Sequence, residues 1–183
     1  KVGSNVLARD DDQLDDECIR QLSEQIGRLK GSGRQVILVT SGAVAAGLSV
    51  LGLTGRPESL SQLQAAAAAG QPRLMTAWGE RLAEAGHPVA QILLTVNDFR
   101  NRQRYLNVRN TIRTLLDLGV VPVVNENDTV SVDEITVGDN DHLAAMVATL
   151  VSDPLLVLLS SVDGLLDGPP DNLGTRVIPL VEQ

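Results

Sequence analysis

Two clusters of asparagine and aspartate are the part of the sequence best suited to chemistry. NEND (125–128) follows the apolar run VVPVV (120–124), and DND (139–141) precedes a helix-like run (143–151). Turn formation explains the first cluster taken alone, and helix capping explains one residue of the second. Neither explains both clusters, and the stretch 125–142 contains no Lys or Arg. Together they predict a pocket of carboxylates and amides for a ligand with an ammonium group, or for a metal–phosphate complex.

Two glycine–serine turns are candidate anion sites. KVGSN (1–5) and TSGA (40–43) are each expected between a strand and a helix, where backbone N–H groups and the helix dipole attract anions. The alternative is that Gly and Ser only make tight turns. Lys1 is one of two lysines beside thirteen arginines, and its compact ammonium suits a phosphate, although a solvated lysine is the other interpretation. Lys30 lies near a helix end and is interpreted as structural.

Composition and charge limit the classes of function. The chain has 183 residues, 43% hydrophobic and 21% charged, as expected for one soluble domain. A net charge of −8 argues against nucleic acid or an anionic membrane as a partner, because phosphates would be repelled. The single cysteine, Cys18, excludes an internal disulfide and indicates a reducing compartment. The sequence lacks a P-loop, a dinucleotide fingerprint, a nucleophile elbow and a Cys/His metal cluster.

The order of apolar and amphipathic segments predicts repeated strand–turn–helix units. Strands are predicted at 35–40, 88–94, 120–124, 133–137 and 155–160. Helices are predicted at 13–30, after the turn SGAVAAG, and at 59–85, 103–118 and 140–151. The helix over 59–85 is expected to kink or break near Gly70-Gln71-Pro72.

This order predicts an α/β fold, a three-layer αβα sandwich with a mostly parallel central sheet. Ligands in such folds bind beyond the carboxyl ends of the strands, where NEND follows VVPVV. We predict one domain over 1–183 that is incomplete at both ends, because KVG continues the end of a strand and RVIPLVEQ stops within a pattern.

The ordered series KVGSN, VTSGAVAAG, RQRYLNVRNT, NENDTV, GDNDHLAA and VDGL is similar to motifs of the amino-acid kinase family. The pair NEND and GDND is typical of the members that phosphorylate glutamate. The resemblance covers essentially the whole chain. It implies an open αβα sandwich that transfers the ATP γ-phosphoryl group to the side-chain carboxylate of L-glutamate, the first step of proline synthesis.

The resemblance also implies roles for residues of the glutamate side. Ser41, Asp128 and Asn140 match glutamate-binding positions. Asp128 is the expected partner of the substrate ammonium, and the hydroxyl of Ser41 and the amide of Asn140 would position the carboxylates. The side chain of glutamate is ionised at neutral pH, so that no general base is required.

On the ATP side, the resemblance implies that Lys1 contacts the phosphates and that Asp141 holds the phosphate-handling lysines. The remaining expected nucleotide contacts are Gly3, Ser4, Ser160 and Ser161. Most members of the family have Thr-Asp at the position of Ser160-Ser161. The family's second lysine that contacts phosphate lies in the part of those proteins that follows RVIPLVEQ.

The expected cofactors are ATP and Mg²⁺, with no metal held by protein residues alone. We expect a cytoplasmic homo-oligomer that binds neither nucleic acid nor membrane. Three alternatives are a sister kinase with another carboxylate substrate, a non-catalytic amino-acid sensor or assembly subunit, and a fusion with a reductase. Paired Asn/Asp clusters argue against the sister kinases, whereas loss of ATP-side residues would favour the sensor.

Overall fold

The computed structural model describes residues 1–9, 13–131, 139–169, 172 and 174–181, and of Asp139 only the backbone. The helices and strands of the described residues are, in chain order, α1 (Ser4–Leu7), α2 (Asp16–Gly31), β1 (Leu38–Val39), α3 (Ala43–Leu51), α4 (Leu60–Glu84), β2 (Val89–Leu94), α5 (Val96–Arg100), α6 (Arg102–Asp117), β3 (Val121–Glu126) and α7 (Asp139–Ala148). The predicted strand over 133–137 lies outside the described residues.

A parallel sheet lies at the centre, with β3 between β1 and β2. The central strand is apolar and buried from Val121 to Val124, as a strand covered on both faces must be. Backbone pairing continues past β1, because the Val2 N–H donates to the Val39 carbonyl at 2.9 Å. Val2 also forms a parallel bridge with Leu159. The amino-terminal segment therefore lies between β1 and the chain near residue 159.

Helices cover both faces of the sheet, as the predicted three-layer sandwich requires. Alternate strand residues point to opposite faces. Leu38 and Val123 pack with residues of α2, α3 and α4, whereas Val39 and Val124 pack with α6 and α7. Trp78, on α4, is fully buried in the first layer, and it is the one aromatic side chain among the buried core residues that the structure describes. The predicted α/β class and layer order are confirmed.

Helices α3 and α4 pack with their backbones in direct contact. A Cβ atom added to Gly47 would lie 1.8 Å from the carbonyl oxygen of Ala66, and one added to Gly70 would lie 2.0 Å from that of Ala43. Only glycine leaves room for so close an approach. Gly70 immediately precedes Gln71, so this contact sets where the middle of α4 lies relative to the start of α3.

Three expectations about local structure differ from the structure. The strand predicted over 35–40 is limited to Leu38–Val39, and the segment 155–160 forms only the bridge at Leu159. Helix α4 continues through Pro72 instead of breaking there. Among the described residues, no helix combines the length and the apolar character needed to cross a membrane.

Candidate active site

A cavity of about 240 Å³ lies at the carboxyl ends of the parallel strands. Its wall is formed by the start of the chain, the β1–α3 turn, the end of β3, the start of α7 and the segment at 160–161. All the residues predicted to act in catalysis or to bind substrate or nucleotide line it: Lys1, Gly3, Ser4, Ser41, Asp128, Asn140, Asp141, Ser160 and Ser161. Parallel strands bring their carboxyl ends to one edge, and this explains why residues so distant in sequence share one wall.

The ammonium of Lys1 and the carboxylate of Asp141 form an ion pair in this wall. Lys1 Nζ lies 2.6 Å from Asp141 Oδ1, and the Lys1 side chain is 7% exposed whereas that of Asp141 is 45% exposed. A buried ammonium without an anion is costly, so the pair holds Lys1 in place. The half-exposed carboxylate remains partly in contact with solvent. Lys1 is thus a fixed positive charge beside the cavity.

The side-chain amide of Asn140 is the centre of a hydrogen-bond network. Its Nδ2 donates to the Thr40 carbonyl at 2.9 Å, to Ser41 Oγ at 2.7 Å and to Asn125 Oδ1 at 3.2 Å. Asn125, which is 2% exposed, donates through its own Nδ2 to Gln71 Oε1 at 2.7 Å. The network therefore connects the start of α7 with β1, β3 and the middle of α4.

The turn between β1 and α3 presents Ser41 to the cavity. Gly42 has a φ of 101°, a left-handed conformation that turns the chain sharply from β1 into α3. Below it, the indole Nε1 of Trp78 donates to Thr40 Oγ1 at 3.1 Å. Ser41 Oγ accepts a hydrogen bond from Asn140, and its own hydroxyl hydrogen has no acceptor among the described residues. Ser41 can therefore donate to a ligand.

The acidic part of the wall comes from the segment that follows β3. Asp128 and Glu126 both line the cavity and are half-buried. The Ser131 hydroxyl donates to Glu126 Oε1 at 2.8 Å, and the Asn127 N–H donates to the Leu94 carbonyl at 2.8 Å. The bond from Asn127 attaches the segment to β2, and the bond from Ser131 joins the end of the segment to its start. Asp128 therefore places a carboxylate in the part of the cavity wall that follows β3.

The expected nucleotide side is more open. Ser160 and Ser161 are exposed, and Ser160 Oγ accepts from the Val162 N–H at 3.2 Å. Helix α1 has a single turn, so its dipole contributes little to an anion site. A Cβ atom at Gly3 would lie 3.3 Å from Lys1 Nζ, so a glycine keeps this part of the wall clear.

Two residues, one in the cavity wall and one behind it, were given no role in the sequence. Arg56 lines the cavity from the loop between α3 and α4, and has no ion pair with any described residue. The dipeptide Arg56-Pro57 belongs to none of the motifs described in the sequence. Gln71 was considered only as part of a helix break, and no local pattern connects it with Asn125. Among the described residues, no group of three or more His, Cys, Asp or Glu side chains could hold a metal ion.

Comparison with known sequences agrees with this arrangement. Residues 1–182 match the amino acid kinase family. The chain belongs to this family. The match spans the cavity wall from Lys1 to Ser161, and so includes every residue of the predicted site.

Several curated relatives within this family are glutamate 5-kinases. The chain is 54% identical over 183 residues to a glutamate 5-kinase of Geobacter metallireducens, and 52% identical over 184 residues to that of Geobacter sulfurreducens. Each alignment covers 100% of this chain and 49% of the relative. A glutamate 5-kinase of Pseudomonas putida is 54% identical over 172 residues, which is 94% of this chain and 46% of the relative. The chain thus spans about half the length of these relatives.

Proposed function

We propose that this chain, as a kinase domain over 1–183, takes part in transfer of the ATP γ-phosphoryl group to the side-chain carboxylate of L-glutamate. The product would be L-glutamyl 5-phosphate, a precursor of proline. The observation that carries the proposal is one cavity lined by Ser41, Asp128, Asn140 and the Lys1–Asp141 pair. The similarity to glutamate 5-kinases supports the same substrate. Cytoplasmic localisation and a homo-oligomeric state stay predictions.

The wall offers complementary groups for a zwitterionic amino acid. Asp128 would accept hydrogen bonds from the α-ammonium group, and Ser41 would donate to a carboxylate. Arg56 supplies a second cation at the cavity and would pair with a carboxylate. The three hydrogen bonds of Asn140 Nδ2 leave only its Oδ1 for a ligand.

The chemical step needs alignment and charge neutralisation more than proton transfer. The glutamate side chain, with a pKa of about 4.3, is a carboxylate at neutral pH and can attack the γ-phosphorus directly. A new oxygen–phosphorus bond forms as the bond to the β-phosphate oxygen breaks, and ADP leaves. Lys1 would stabilise the negative charge on the phosphate oxygens. Asp141 would keep the ammonium of Lys1 at the position where those oxygens lie.

The residues present are compatible with Mg²⁺ bound together with ATP. Mg²⁺ in such sites is held by substrate phosphates, water and one or two carboxylates, and Asp141 is a half-exposed carboxylate beside Lys1. When bound, Mg²⁺ neutralises charge on the phosphates. A dedicated cage of protein ligands is not required for this use of the metal.

The test is hydroxylamine trapping of the acyl phosphate by protein expressed from its complete natural reading frame. Mg-ATP and L-glutamate should give hydroxamate, whereas L-aspartate and N-acetyl-L-glutamate should give little. The variant Arg56→Ala should raise the KM for glutamate more than the KM for ATP. Folded protein that binds glutamate and forms no hydroxamate would refute the kinase proposal and favour an amino-acid sensor.

A further inference from the structure

We propose that Gln71 is a positioning residue that acts through Asn125 to orient the amide of Asn140. In this orientation Asn140 offers an acceptor to the ligand, and it therefore selects the ammonium group of an amino acid. The inference rests on the proposed function for the identity of the ligand. Gln71 lies on α4 and does not line the cavity.

The orientation of the Asn140 amide is fixed by a backbone group. The Thr40 carbonyl oxygen can only accept, so the Asn140 atom 2.9 Å from it must be the donor Nδ2. Its two hydrogens are shared among three acceptors, namely this carbonyl, Ser41 Oγ and Asn125 Oδ1. Nδ2 therefore has no hydrogen left for a ligand. Only Oδ1 remains.

The orientation of the Asn140 amide fixes that of Asn125, which contacts α4. Because Asn140 Nδ2 is a donor, the Asn125 atom 3.2 Å away must be the acceptor Oδ1. Asn125 Nδ2 then points the other way and donates to Gln71 Oε1 at 2.7 Å. Asn125 is 2% exposed, so water does not readily replace Gln71 as the acceptor. Each amide thus fixes the next.

The structure leaves one acceptor of this network without a donor. Asn140 Oδ1 is buried and has no hydrogen-bond partner among the described residues, although Asn140 lines the cavity. A buried acceptor without a donor is unfavourable, and a ligand N–H group would relieve it. An ammonium carries three donors and no acceptor, whereas a carboxylate would be repelled by Oδ1. Asn140 is therefore suited to the ammonium and not to the carboxylates.

Replacing Gln71 by leucine should loosen this orientation. Asn125 Nδ2 would lose its acceptor, and rotation of the Asn125 amide would bring Nδ2 towards Nδ2 of Asn140. Two donors facing each other are unfavourable, so Asn140 would lose one of the bonds that hold its amide. The variant Gln71→Glu keeps an acceptor oxygen for Asn125 in either protonation state, and should preserve the network.

The discriminating measurement is the ratio of the dissociation constants of glutarate and L-glutamate. Glutarate has both carboxylates of glutamate and lacks the ammonium. Calorimetric titration of the complete protein gives both constants without requiring catalysis. The control is Gln64→Leu, on the same helix, because the Gln64 amide donates to the Ser131 carbonyl at 3.1 Å and not to this network.

In the wild type, glutamate should bind more tightly than glutarate. In Gln71→Leu, glutamate binding should weaken about tenfold while glutarate binding changes less than about twofold, since a hydrogen bond to a charged group is lost. Gln71→Glu and Gln64→Leu should keep the wild-type ratio.

The proposal is overturned if Gln71→Leu keeps the ratio, if Gln64→Leu lowers it equally, or if the wild type does not prefer glutamate. Failure of the kinase proposal is distinct, because it would appear as missing hydroxamate despite preferential glutamate binding.

Discussion

The substitution Gly47→Ala should destabilise the protein strongly, because α3 and α4 touch at this residue. The added Cβ atom would lie 1.8 Å from the Ala66 carbonyl oxygen and 2.5 Å from its carbonyl carbon. Ordinary contacts of a Cβ atom begin near 3.4 Å, so the helices would have to separate by more than an ångström. Both atoms belong to the backbone and cannot rotate away.

Overpacking of this kind typically costs about 1–3 kcal/mol. We expect the upper end, about 3 kcal/mol, because the obstacle is another helix. For a domain of this size, this loss corresponds to a melting temperature lower by roughly 6–12 °C. Thermal and urea unfolding of the complete protein would measure it. The KM for glutamate should also rise, since α3 begins just after Ser41.

The matched control for this substitution is Gly31→Ala. Gly31 ends α2, and a Cβ atom there meets nothing within 4 Å. An alanine at such a position is neutral or stabilises by about 0.5–1 kcal/mol. If Gly47→Ala melts within about 2 °C of the wild type, or no lower than Gly31→Ala, the close contact of α3 and α4 is refuted.

Three further predictions concern charged and titratable groups. Asp141→Asn should lower kcat about tenfold or more and lower the free energy of unfolding by about 1–3 kcal/mol, because the buried ammonium of Lys1 loses its anion. The hydroxamate assay measures kcat, and urea unfolding measures the stability. An unchanged kcat would contradict the role of Asp141 in holding Lys1. Hydrogen bonds from Arg20 lower the pKa of Glu17 from 4.5 to about 2, so its stabilising effect is complete above pH 4.5 and is lost as the pH falls towards 2. The stability difference between wild type and Glu17→Gln, followed by urea unfolding, should shrink across that range. Burial raises the pKa of the Cys18 thiol, so its alkylation by iodoacetamide at pH 8 should be slower than in urea-unfolded protein; equal rates would contradict this.

The fold class could be predicted because its signal is local and repeated. The continuous apolar run of β3 indicated a strand buried on both faces, and the structure has it at the centre of the sheet. The break considered near Pro72 does not occur, because tertiary packing outweighs the local preference of proline. Gly47 and Gly70 hold α4 against α3, while Leu74 and Trp78 bury the next turns, so the helix remains continuous.

The members of the site could be predicted more readily than their hydrogen bonds. Polar residues after strand ends are visible in the sequence, and parallel pairing brings Ser41 and Asn140 together. The direction in which an amide donates depends on neighbours from other elements, here the Thr40 carbonyl and Gln71. Arg56 lies in a loop without periodicity, so only the folded chain brings it to the cavity.

The bridge between Val2 and Leu159 has a consequence for biosynthesis. A ribosome makes the amino-terminal segment first, yet one of the two neighbours of that segment is synthesised near the other end of this chain. At about 5–20 residues per second, the interval is roughly 10–30 s. Closing so long a loop is also entropically slow. Lys1 and Ser160 therefore come together late in synthesis. A nascent chain arrested before residue 159 would have most of its helices but would lack the cavity wall formed by Ser160 and Ser161.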